Sequence, residues 1–297
     1  MHILRLILLI FVCTASFANA QTVIDLNNGG SVRSKTLQDY DREARIKMER
    51  EDSIHYSDCL KRAFSALHCD SLTEAKMYFK EALKLRPTAE GNYIVEQHLG
   101  EIATVEGALG EAEAHYTRAL KQKPDLHLVR SARAVVALQL HHFMEAKADC
   151  DALLALTPTK EERIRLLFVR ASALMGMRLN KDARADLETL CILDPKNENV
   201  PIMLALSLHD EGRTQEALER LSIHLRINPE NVDALSLRAT IYSTQKLYDL
   251  ALLDYNEALR IAPENADLYL ERAQCLEALG KKGAAEKDRL TARKLRR

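Results

Sequence analysis

The sequence predicts an all-α chain built as a stack of helix hairpins, and three observations predict it. Six prolines, Pro87, Pro124, Pro158, Pro195, Pro229 and Pro263, follow one another at intervals of 37, 34, 37, 34 and 34 residues, which is a repeat near 34. When each proline is placed at position 32 of its unit, units begin at Tyr56, Tyr93, His127, Ile164, Glu198, Val232 and Ala266, and two further positions keep step. Position 20 is Ala75, Ala112, Ala146, Ala183, Ala217, Ala251 and Ala285, and position 8 is Ala63, Gly100, Ala134, Ala171, Ala205, Ala239 and Ala273. The third observation is composition: aromatics make up 5% of the chain, there is no Trp, and 10 Gly and 7 Pro are few for 297 residues, a mix that suits helices more than sheets.

Residues 1–20 read as a secretory signal. Ile3 to Val12 form a short apolar core that contains Arg5, and Ala18-Asn19-Ala20 is a small-x-small cleavage site. The run is shorter than the roughly 20 residues a membrane span needs. Phe11 and Val12 precede Cys13 where a lipidation site takes small residues, so an uncleaved or lipid anchor is the weaker alternative. Residues 21–36, with Asn27-Asn28-Gly29-Gly30-Ser31, have linker composition. Residues 37–55 form a charged helix, LQDYDREARIKMERED at its start, whose sparse apolar residues either cap the first repeat or face solvent.

The repeat domain then occupies 56–297. A turn near position 15, where Gly107, Gly212 and Gly280 fall, makes each unit an antiparallel helix pair in which small residues at 8 and 20 let the two axes approach. Apolar residues at 24 and 27, such as Phe79 with Ala82, Tyr116 with Ala119 and Tyr255 with Ala258, bury against neighbouring helices. The proline ends the second helix. This pattern resembles the tetratricopeptide repeat (TPR) family, most closely in AEAHYTRALKQKP (112–124) and DLALLDYNEALRIAP (249–263). The resemblance implies a right-handed solenoid of about seven hairpins. Two departures stand out: the family's large aromatic at position 4 is replaced by Cys59, Glu96, Arg130, Leu167, Pro201 and Leu235, with Tyr269 alone aromatic, and unit five carries Leu221 and His224 at 24 and 27. His224 reads as a satisfied interior histidine. Thr159-Lys160-Glu161-Glu162 predicts a capping box that starts the first helix of unit four one turn early.

Charges support the hairpin. Asp149, Asp186, Asp254 and Asp288 at position 23 each share a unit with an Arg at position 7, namely Arg133, Arg170, Arg238 and Arg272. Positions 7 and 23 are equidistant from the turn, so the pairs predict a salt bridge along the stack. At the C-terminus, Lys281, Lys282, Lys287, Arg289, Arg293, Lys294, Arg296 and Arg297 form a basic end that reads as a solvated polar cap complementing the helix dipole.

Chemistry is absent from the pattern. Forty-two Lys plus Arg against 43 Asp plus Glu leave a net charge of −1, with no field for nucleic acid. There is no phosphate-binding glycine loop, nucleophile elbow, HExxH or EF-hand. His141-His142 falls in a turn and reads as solvated. Cys59, Cys69, Cys150, Cys191 and Cys275 form no CxxC and read as small hydrophobes. No catalytic residue, metal or cofactor is expected. What remains is surface. In TPR proteins positions 2, 5, 6 and 9 of the first helices line the concave face. Here the ends of that face are polar (Lys61, Gln97, His98 and Glu101, then Asp233, Ser236, Thr240, Asp267, Glu271 and Gln274), and its middle is apolar: Leu128, Val135, Phe168, Val169, Ile202, Met203 and Leu206. Position 6 holds no Asn, so the clamp by which some TPR proteins hold acidic C-terminal peptides is not implied. The expectation is an exported, periplasmic or secreted scaffold without a transmembrane segment in its mature part. It takes an apolar peptide or helix of another envelope or exported protein in repeats three to five, where burying Phe168, Ile202 and Met203 is worth roughly 5–8 kcal/mol gross. The alternative is a self-associating structural component, a homo-oligomer.

Overall fold

The computed structural model describes residues 37–296; the expected leader and the linker before Leu37 lie outside them. Among the described residues there are fourteen helices and no strand. They follow as seven pairs: α1 Leu37–His68 with α2 Leu72–Leu85, α3 Asn92–Val105 with α4 Leu109–Gln122, α5 His127–Gln139 with α6 Phe143–Leu154, α7 Lys160–Gly176 with α8 Asn180–Leu193, α9 Asn199–Asp210 with α10 Thr214–Ile227, α11 Val232–Thr244 with α12 Tyr248–Ile261, and α13 Ala266–Ala278 with α14 Lys282–Leu295. The chain divides into a unit up to Asp52 and a compact unit from Ser53 onward that holds the hairpins. Helix α1 takes in both the charged stretch and the first helix of repeat one. Residues 42–51 on it are all exposed, Ile46 and Met48 included.

One turn closes every pair. The connection is three residues long in all seven hairpins, and its middle residue, position 15, has positive φ each time: Asp70, Gly107, His141, Arg178, Gly212, Lys246 and Gly280, between 56° and 80°. The amide of position 16 donates back to the carbonyl of position 11, as in Ala108 to Ala103, His142 to Ala137 and Lys281 to Leu276, each at 2.8 Å. This is the Schellman closure, which satisfies carbonyls that the helix end would otherwise leave bare. The sequence marks the turn with glycine in three units. In the other four the backbone takes the same left-handed conformation at a residue with a side chain.

The alanines at position 20 are all 0% exposed, and those at position 8 are at most 1%. Repeat two shows why position 8 is small: a Cβ on Gly100 would lie 2.5 Å from the ring of Tyr116. That ring passes over Gly100 and its hydroxyl meets Thr104 at 3.1 Å. In repeat six Ala239 holds position 8, and the Tyr255 hydroxyl meets Thr240 instead, at 3.0 Å.

The predicted Arg–Asp pairs form in all four units. Arg133, Arg170, Arg238 and Arg272 each donate two parallel hydrogen bonds of 2.6–2.8 Å to the aspartate at position 23 of their own unit. The third arm of each guanidinium reaches position 25 of the preceding unit, donating to Thr117, Asp151, Ser222 and Asn256. Each arginine therefore joins the second helices of two consecutive repeats. Repeats two and five put Leu99 and Leu204 at position 7, both in the core.

Other expectations resolve locally. Thr159 and Glu162 form the capping box at the start of α7. Pro201 lies in the first turn of α9, where a missing N–H does no harm. His224 is buried as expected, but its Nε2 has no hydrogen-bond partner, so it is not a satisfied interior histidine. Repeat five gives up the alanine of position 27 for a larger ring. All five described cysteines carry free thiols; Cys150 and Cys275 are core residues, and burial pushes the Cys150 thiol up to about 12.

Candidate functional site

The first helices of repeats three, four and five, α5, α7 and α9, carry the residues expected to form an apolar groove. Leu128 is 78% exposed, Val135 41% and Leu206 36%. Phe168, Ile202 and Met203 are half-buried and pack together against the core that runs from repeat four to repeat seven. Val169 must be removed from the set, because it is buried with Ala134, Cys150, Leu153 and Leu166. Leu166, Leu167 and Val169 of α7 are all buried. Three of the seven residues are thus open, three offer an edge, and one is interior.

The two ends of this face are built differently. At the repeat-two end, Glu101 accepts from His98 Nδ1 at 2.8 Å and from Gln97 at 2.9 Å. Burial alone would raise the Glu101 carboxyl, but those two contacts outweigh it and hold it below the usual range. The His98 ring stacks on Phe79 at 5.6 Å and meets the edge of Phe64 at 5.4 Å.

At the repeat-seven end, Ser236 of α11 donates to Glu271 of α13 at 3.1 Å, and Glu271 also faces the Tyr255 hydroxyl. Burial raises the Glu271 carboxyl above its ordinary range, the Ser236 hydrogen bond opposes this, and the charge of Asp267 adds to the rise. Asp267 and Glu277 themselves pair with Arg296 and Arg289.

Sequence reasoning left out a second exposed apolar set, on the outer helices: Ile192 of α8 at 80%, Ile227 of α10 at 74% and Leu253 of α12 at 66%. The register carried the signal, since these residues occupy positions 29, 30 and 22, outside the apolar positions of the hairpin. Among the described residues no three or more His, Cys, Asp or Glu are grouped to hold a metal ion, and no helix is long and apolar enough to cross a membrane.

Known proteins share this architecture. The Tetratricopeptide repeat family model matches residues 202–266. Stress-induced-phosphoprotein 1 of Caenorhabditis elegans is 27% identical over 187 residues, which is 63% of this chain and 57% of that protein. Hsp70-Hsp90 organizing protein 3 of Arabidopsis thaliana is 26% identical over 192 residues, 62% of this chain and 33% of that protein. The chain thus spans 57% and 33% of the length of these two relatives. Among solved structures, a tetratricopeptide repeat protein from Parabacteroides merdae superposes with a TM-score of 0.63 at 21% identity, covering 81% of this chain and 93% of the other. YrrB, described as a TPR protein with an unusual peptide-binding site, gives 0.50 at 19% identity over 69% and 97%. At such identities the likeness is one of fold. The 34-residue register, seven hairpins closed by one turn and the family model matched over 202–266 together give this chain a tetratricopeptide-repeat architecture.

Proposed function

We propose that this protein is an exported, non-catalytic interaction scaffold that holds an apolar peptide or helix of another exported protein on the first helices of repeats three to five. The observation that carries the reading is the exposure of Leu128, Val135 and Leu206 beside the half-buried Phe168, Ile202 and Met203, on a face whose two ends are polar. Phe168, Ile202 and Met203 already pack against the core, so their further burial contributes less than the sequence suggested. Covering the exposed fractions of the other three supplies about 3 kcal/mol gross before association costs, which points to micromolar or weaker binding. The peptide-binding site reported for YrrB and the organizing role in the name of the Arabidopsis relative support an interaction role. Export rests on residues 1–20 alone.

The test is a triple variant, Leu128→Glu, Val135→Glu and Leu206→Glu, at sites exposed enough to keep the fold. Circular dichroism should show unchanged helicity, and an envelope protein captured by the wild type should be lost. A wild type that runs as a dimer by light scattering, and a variant that runs as a monomer, would instead make this face an interface between two copies.

A further inference from the structure

Each buried carboxylate among the described residues meets an arginine. Asp149 meets Arg130 and Arg133, Asp186 meets Arg170, Asp254 meets Arg238 and Asp288 meets Arg272. Glu96 takes Arg118, and Glu211 takes Arg184. The reason is general, because a charge drawn out of water needs a counter-charge or several donors. Glu271 has no such partner. It is half-buried on α13, its oxygens meet hydroxyls only, and the charge acting on it is a second carboxylate, Asp267. Glu101, at the opposite end of the same face, already holds His98.

We propose that the segment bound in the groove carries a lysine or arginine beyond its apolar stretch, and that this cation seats against Glu271, supplying the counter-charge the fold omits. This rests on the groove reading above and adds to it a charge and a direction: apolar residues lie over repeats three to five, and the cationic end lies over repeat seven. Neighbouring helices pack about 8–10 Å apart, so repeat seven is about 20 Å beyond repeat five. An extended chain covers that in about six residues.

The test uses the full chain and fluorescein-labelled, amidated peptides read by fluorescence anisotropy. Each peptide has five apolar residues (Leu, Phe, Ile, Val, Leu), a Gly/Ser spacer of about six residues and a terminal Lys, Gln or Glu. The Lys peptide should bind about tenfold tighter than the Gln peptide, as a charge-assisted hydrogen bond allows, and the Glu peptide weakest. In Glu271→Gln, which keeps an acceptor for Ser236, the Lys and Gln peptides should bind alike while the Gln peptide keeps its wild-type affinity. Equal binding of Lys and Gln peptides to the wild type, or a Lys preference that survives Glu271→Gln, overturns the inference and leaves the groove standing. If none of the three peptides binds, the groove reading fails and takes the inference with it.

Discussion

Asp254 is 7% exposed, and Arg238 supplies both of its strong hydrogen bonds. Removing one partner of such a pair strands the other, so Arg238→Ala should lower stability by about 3 kcal/mol, read as a shift of the urea midpoint. Replacing both, as Arg238→Leu with Asp254→Leu, should cost far less, because repeats two and five already bury Leu99 and Leu204 at the arginine position. An equal loss in both variants would mean that the pair is worth more than its desolvation. The sheltered acids also set a pH dependence. Burial pushes Glu96 and Asp151 up, but hydrogen bonds from His115 and Arg118 to the first, and from Lys147 and Arg170 to the second, outweigh it and hold both low. A carboxyl whose folded pKa lies below its unfolded value, about 4, adds stability above that value and loses it as pH falls through the folded one. The urea midpoint should therefore drop between about pH 5 and pH 3, and less steeply in Glu96→Gln.

At the scale of the element, the hairpin turn is the fixed part of the repeat and its sequence is the variable part. Position 15 is left-handed in all seven units, yet Asp70, His141, Arg178 and Lys246 carry side chains there. A non-glycine residue in that region costs roughly 1–2 kcal/mol, and glycine gives back part of the gain through its looser unfolded chain. Lys246→Gly should therefore stabilise by up to about 1 kcal/mol, seen as a higher melting temperature. A lower one would mean that the lysine makes a contact worth more than the strain. Helix α14 shows the opposite economy, in which the element is kept and its outer surface is changed. Positions 24 and 28 are Phe79 and Leu83 in repeat one and Tyr255 and Leu259 in repeat six, but Arg289 and Arg293 in repeat seven. A second helix that carries arginine at both positions presents a wetted face, which fits the polar cap that solenoid ends require.

For the whole molecule, the cores are unequal. One continuous cluster joins repeats four to seven, from Leu167 to Cys275, whereas the earlier repeats hold several smaller clusters. In a stacked repeat protein each unit is held by its neighbours, so local opening should follow this division. Amide hydrogen exchange should be slowest in α9 to α12 and faster in α1 to α4. Uniform protection along Ser53–Arg297 would show instead that the array opens as one unit.

The fold class, the number and phase of the hairpins, the Arg–Asp pairing and the Thr159 cap are all legible along the chain. Each of these depends on residues at fixed spacing along one chain, and the periodicity of a helix turns spacing directly into facing. The tertiary structure decided which apolar residues are open. Phe168 and Val169 are adjacent in sequence, yet Phe168 is half-buried while Val169 is buried with Ala134, Cys150 and Leu153 of repeat three, and how the hairpins stack sets which neighbours each side chain meets. It decided that His224 lacks an acceptor, and that the turn is left-handed at residues such as Lys246 that carry no glycine signal. It also isolated Glu271, which reads in sequence as one acid among 43. Whether a carboxylate has a counter-charge depends on side chains from two or three repeats meeting in space, and no spacing within a single helix encodes that.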